Sequence, residues 1–113
     1  MTRIYKLLGA AELSAANSQG RFEGSEVDRR DGYIHFSTGA QVRETAAKHF
    51  ARRIDLILLG LDAEALGDAL RWEPSRGGDL FPHLYGALDL KLIDEARALP
   101  LGPDGAPDTG ETP

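Results

Sequence analysis

Two short stretches carry most of the chemistry this chain can offer. Residues 31–38 read DGYIHFST, and residues 81–86 read FPHLYG. In the first, a period of two places Tyr33, His35 and Ser37 on one face of a strand, with Ile34 and Phe36 on the core side. Thr38 with Gln41 makes a T-x-x-Q capping box, which predicts a helix start there. Backbone amides at a helix N-terminus favour anions. A histidine beside them can hydrogen-bond a ribose or a phosphate, or move a proton. The plainer alternative is that Thr38 only caps and His35 is a half-buried sheet residue. In the second stretch, Pro82 beside Phe81 predicts a rigid turn, with His83 and Tyr85 on one side of an extended segment, or else a structural turn with a packed Tyr85. Between the two, Glu73 closes the strand-like LRWE, where a carboxylate can hold ribose hydroxyls or assist chemistry. It borders PSRGGDL, a glycine-rich loop whose Arg76 can reach a phosphate. Surface roles are the alternatives for both.

Other chemistries fit poorly. His35-Phe36-Ser37 matches one half of a two-histidine phosphoesterase motif, but His83 is followed by Leu84-Tyr85, so the second half fails. His35, His49 and His83 lack metal-site spacing and a matching carboxylate, so no metal is expected. The chain has no cysteine, which excludes disulfides, thiolate zinc sites and a cysteine nucleophile. It also lacks a P-loop and a G-x-G-x-x-G fingerprint.

The net charge of -5 argues against binding to a nucleic-acid backbone. Residues 102–113 hold three of the 18 acidic side chains (Asp104, Asp108, Glu111) and no base, which leaves 13 basic against 15 acidic residues elsewhere. Leu56 to Leu61 is the longest apolar run and is too short to cross a bilayer. The start does not read as a signal peptide. A soluble cytoplasmic monomer, with neither nucleic acid nor membrane as partner, is the expectation.

These stretches need a scaffold. IYKLL (4–8) reads as a strand and Ala10 to Gln19 as a helix ended by Gly20. Residues 20–32 read as a loop, followed by a strand from Tyr33 to Ser37. A helix then runs to about Arg52, with Val42, Ala46, Phe50 and Ile54 on one stripe and His49 beside it. Asp55 to Leu61 reads as a central strand covered on both faces. A short helix over 63–69, a strand over 70–73, and one or two strands within 88–99 complete the set. The 113 residues predict one domain over 1–101 and a disordered acidic tail over 102–113. The class is α+β: a small mixed or antiparallel sheet flanked by helices.

Taken together, IYKLL, DGYIHFST, DLILLGLD, LRWEPSRGGDLFPHLYG and the closing LDL resemble the family called domain of unknown function 952, over about residues 3–100. That family is grouped, on remote similarity, with the ADP-ribosyltransferase-like fold, a split sheet that binds NAD in a cleft. The resemblance implies a small bacterial protein with NAD as the one cofactor to expect. It implies that His35, Ser37 and Thr38 would hold the ribose and flank the nicotinamide, with Glu73 or His83 in the third role. The departure is plain, because no H-Y-E or R-S-E triad is present. One expectation is therefore a nucleotide-type cleft lined by Tyr33, His35, Ser37, Thr38, Arg76, His83 and Tyr85, with transfer of an ADP-ribosyl or phosphate group. The others are a non-catalytic module for a small ligand or peptide, and an oligomer contact.

Overall fold

A computed structural model describes residues 2–110, apart from the side chain of Arg76. Its frame is an antiparallel pair, β1 (Arg3–Gly9) against β5 (Leu56–Asp62), aligned from Arg3↔Asp62 to Gly9↔Leu56. Strand β4 (Ser37–Thr38) adds to the far side of β1, and β9 (Glu95–Ala98) to the far side of β5. Alternation sends Ile4, Leu8, Leu59 and Leu61 into one core, and Tyr5, Leu7, Leu56 and Leu58 into another on the opposite face. Both faces of the LILLGL run are thus covered, as its continuous apolar character predicts. Gly60 within it leaves space for two charged side-chain ends: a Cβ there would lie 2.9 Å from both Arg3 Nη2 and Glu95 Oε1, which would have to shift. That guanidinium crosses β5 to meet Asp62, Asp94 and Glu95.

Helix α1 (Ala10–Gln19) ends at Gly20 in the left-handed conformation, φ 76°. It packs Ala16 into the first core, beside the small pair β2 (Arg21–Phe22) and β8 (Leu88–Asp89). Helix α3 (Val42–His49) lays Val42 and Ala46 on the second core, with Phe50 alongside. The expected stripe stops there. The chain leaves the helix at Phe50 and turns left-handed at Arg52, so Ile54 is 85 % exposed rather than packed. Gln41, not Thr38, caps the helix; the Thr38 N–H donates to Gln41 Oε1 in a turn one step earlier.

A second sheet carries the polar stretches. It runs β3 (Ile34–His35), β7 (Leu80–Leu84), β6 (Leu70–Pro74), all antiparallel. Tyr33 to Ser37 is therefore not one strand. The chain pairs with β7 through His35, bends at Phe36, and joins β1 from Ser37. FPHL is a strand, not a turn. Pro82 lies in the central strand opposite Phe36, where β3 has ended; its carbonyl accepts from Phe36 N–H, and the reciprocal bond that its missing N–H would make is absent. The 63–69 segment is a 3-10 helix broken at Gly67.

Residues 20–32 are not all loop. Helix α2 (Glu26–Asp31) starts at a Ser25 cap, with Asp28 and Ser25 bonding reciprocally, and ends at left-handed Gly32. Among the described residues no helix is long and apolar enough to cross a membrane. The fold is α+β, built of small antiparallel sheets with helices on their flanks.

Composition predicts disorder from Gly102 onward. Through Gly110 the chain instead folds back: Leu101 bridges Pro107, Arg97 and Arg43 donate to the carbonyls of Thr109 and Gly110, and Thr109 is 2 % exposed. Residues 111–113, with Glu111, lie outside the described residues. A truncation after Leu101 removes these bonds and lowers the unfolding free energy by about 1–3 kcal/mol in urea titration. A disordered tail would give no change.

Candidate functional site

Sheet register builds the site. Residues opposite one another across antiparallel strands share a face. Ile34, Leu84 and Leu70 form one row of the second sheet, turned toward the core. His35, His83 and Arg71 form the next row, turned the other way. The rings of His35 and His83 lie 5.6 Å apart, edge to face. Residues 48 positions apart in sequence thus make one cluster, as required if both are to touch one small ligand.

Tyr33 is its centre. Its ring stacks on His83 at 4.0 Å, tilts against His35 at 4.7 Å, and tilts against Tyr85 at 5.3 Å. Burial, with Asp31 and Glu73 nearby, raises the Tyr33 phenol, so it stays protonated at neutral pH. Gly86, at φ 153°, turns the chain just after Tyr85. A cleft of about 290 Å³ opens beside Tyr33, lined also by Asp28, Arg29, Gly32 and Gly86.

Each histidine has its own carboxylate. His83 Nδ1 lies 2.8 Å from Glu73 Oε1, and the Tyr85 hydroxyl donates to the same oxygen at 2.7 Å. These hydrogen bonds, from His83 first and then Tyr85, lower the Glu73 pKa and keep it ionised. The same bond raises the Tyr85 phenol. Arg71 Cζ sits 5.2 Å from the Tyr85 ring centroid and adds positive charge to this face. The His83 side chain is 4 % exposed and that of Glu73 34 %, so the histidine is buried and the carboxylate meets solvent.

His35 is held from the other side. Its Nδ1 lies 2.6 Å from Asp28 Oδ1, and its Nε2 3.0 Å from Asp31 Oδ2. A neutral ring can donate to only one of these; a doubly protonated ring donates to both. Asp28 is 2 % exposed, so its charge is met by protein groups. Its oxygens accept from the Lys6 ammonium (2.9 and 3.1 Å), the Ser25 amide (2.9 Å) and the His35 amide (3.1 Å), besides the His35 ring. Burial alone would raise the Asp28 pKa. The bond from His35 and the Lys6 charge outweigh it and hold the carboxyl far below the usual carboxylate range. Lys6, itself buried, is pulled below its ordinary value by desolvation, which Asp28 opposes without overcoming. The pair stands as an ammonium and a carboxylate, because Lys6 has three acceptors: both Asp28 oxygens and the His35 carbonyl.

Tyr33, His35, Glu73, His83 and Tyr85 therefore come together as the spacing suggested. Ser37 does not. It is buried beneath α3 and bonds Thr45 Oγ1, because the bend at Phe36 breaks the period-two face. Thr38 opposes Ile4 in the first sheet and takes part in the Gln41 turn. The Arg76 side chain lies outside the described residues, and Arg71 is the arginine on the site face. Sequence reading missed Arg71, Asp28 and Asp31. Ser25-Glu26-Val27-Asp28 does match the S-x-x-D capping signal, which would have placed α2 and with it Asp28. Among the described residues no three His, Asp or Glu side chains group so as to hold a metal ion.

The buried pair has a pH signature. Because the folded Asp28 pKa is depressed, its contribution is complete above the unfolded value of about 3.9 and is lost as pH falls through the folded value. Asp28→Asn leaves Lys6 buried without its counter-charge and lowers stability by about 3–5 kcal/mol at neutral pH, with a flatter acid limb in urea titrations. Lys6→Met/Asp28→Leu removes both charges and recovers part of that loss, since the Ser25 and His35 amides then lack their acceptor. An acid limb identical to wild type in Asp28→Asn would contradict the assignment.

Comparison with known proteins agrees with the fold. The family described as protein of unknown function (DUF952) matches residues 7–96. The crystal structure of protein CC0527 from Caulobacter crescentus superposes with a TM-score of 0.93 at 52% identity, covering 95% of this chain and 94% of that one. The solution NMR structure of CC0527 gives a TM-score of 0.88 at 53% identity, covering 97% and 95%. No curated protein matches the sequence. With one family spanning both polar stretches and the strands that carry them, the chain belongs to the DUF952 family.

Proposed function

We propose that the Tyr33–His35–Glu73–His83–Tyr85 cluster binds a nucleotide-type ligand of the NAD class and transfers its ADP-ribosyl group. The observation that carries this reading is the state of Glu73: ionised, partly exposed, and fixed by His83 and Tyr85 on one oxygen. A carboxylate so held is poorly suited to carry a proton and well suited to face positive charge. In the reaction, the bond from ribose C1′ to the nicotinamide nitrogen breaks and its electron pair leaves with nicotinamide. Glu73 stabilises the cationic ribose carbon. Water or an acceptor hydroxyl then adds there and loses its proton. The adjoining cleft, whose wall carries Arg29 together with the acidic Glu23 and Asp28, offers room for the phosphate side of the ligand, with Arg29 as the cation.

A second reading, a binding module without chemistry, is favoured by one feature. His83 is packed under Tyr33 and acts through Glu73 rather than on a ligand.

Titrating NAD, ADP-ribose and AMP into labelled protein, while following amide and ring signals of Tyr33, His35, His83 and Tyr85, tests binding. Shifts saturating in the millimolar range or below are expected. No shift at millimolar ligand overturns the nucleotide reading. Nicotinamide release from NAD then separates the two readings, since binding without release supports the module. Glu73→Gln is expected to retain ligand shifts while release falls by about 10²- to 10³-fold, the effect of losing one charge-stabilising group.

A further inference from the structure

Among the described residues, strand β6 lies at the edge of its sheet, with β7 on one side only. Hydrogen bonds at both ends fix which of its backbone groups look outward. Tyr85 N–H donates to Ala69 O at one end, and Ser75 N–H to Asp79 O at the other. In an antiparallel ladder the bonded residues alternate, so Arg71 and Glu73 bond to β7 and Trp72 turns its N–H and C=O away. The neighbouring outward positions offer no donor. Leu70 N–H is engaged with Gly67 O, and Pro74 has none. Trp72, 39 % exposed, is thus the centre of a short edge with one outward donor flanked by acceptors.

We propose that this edge pairs antiparallel with the same edge of a second copy, centred on Trp72, to give a continuous six-stranded sheet. A two-fold axis through Trp72 lets each Trp72 N–H meet the other's carbonyl. The sequence LRWEP is complementary about that axis. Arg71 falls opposite Glu73 of the second copy, and Glu73 opposite Arg71 of the second copy, on one face. Leu70 falls opposite Pro74 of the second copy on the other face, beside the two tryptophans. No two like charges fall directly opposite one another along the pairing. Pro74 limits the pairing to its centre, as prolines on edge strands do.

The partner also completes the site's charge. The Glu73 that receives His83 and Tyr85 gains a second guanidinium beside it. The contact is smaller than a standard interface, so it forms at high concentration and leaves a monomer at low concentration. The inference needs only the edge geometry and stands apart from the nucleotide reading.

Sedimentation equilibrium of the full chain, from about 10 μM to about 1 mM, spans the affinity of so small a contact. The mean mass is expected to rise from one chain toward two. Arg71→Glu places acid against acid, and Glu73→Arg places base against base, so each alone stays monomeric. Mixed in equal amounts, they form two opposite-charge pairs and associate at about tenfold lower concentration than either alone. The Trp72 amide should also exchange more slowly with solvent as wild-type concentration rises. A wild-type mass fixed at one chain, or a concentration-independent Trp72 exchange rate, overturns the proposal. So does a mixture of folded variants no better associated than its components.

Discussion

One buried carboxylate sets the geometry of the polar half of this protein. Asp28 has five hydrogen-bonding contacts, to Lys6, Ser25 and His35. Each partner comes from a different element: Lys6 from β1, Ser25 from the start of α2, His35 from β3. The carboxylate thereby joins the large sheet to the small one at the point where the chain passes between them. A buried ion pair is weak support for net stability, because desolvation offsets much of the attraction. Its stronger consequence is specificity. Shifting β3 would strand a buried charge, so His35 is held to one register against His83.

The two histidine–carboxylate pairs then divide their roles. Asp28 is sealed from solvent, so it positions and does not react. Glu73 meets solvent and is kept ionised by two donors, His83 packed under Tyr33 and the exposed Tyr85 beside it. In the proposed reaction, contact with the ligand would fall to Glu73, Tyr85, Tyr33 and the outer edge of His35. The buried members hold those four in place. Arg71 joins them through strand register alone, since its row neighbour is His83.

Much of the scaffold was legible because hydrophobic pattern controls it. LILLGL gives a doubly covered strand, and Gly20 ends α1 as its position suggested. What misled was continuity. DGYIHFST has unbroken period-two alternation, yet the chain changes sheets at Phe36, and no local preference marks the bend. That single change sends Ser37 into the core under α3 while His35 stays in the cluster. Helix α2 is too short for a periodic signal and was overlooked despite its capping residues. The fold-back of residues 102–110 cannot be read from composition, because backbone carbonyls held by Arg43 and Arg97 leave no trace in residue types. The chemistry of His35 and His83 raises the question of their meeting; of the two carboxylates that orient His35, only Asp28 leaves a trace in the sequence, through the S-x-x-D capping signal.

The central claim is that the Asp28 carboxylate holds His35 against Tyr33 and His83. Proton NOEs among aromatic rings test it most directly, in the wild type and in Lys6→Met/Asp28→Leu, where the charge pair is gone without leaving a buried ion. The account predicts His35–Tyr33, His35–His83 and Tyr33–His83 NOEs in the wild type. In the variant the Tyr33–His83 NOE persists, anchored by Glu73, while those to His35 weaken or vanish. Unchanged His35 NOEs in the variant, or none to His83 in the wild type, would contradict it.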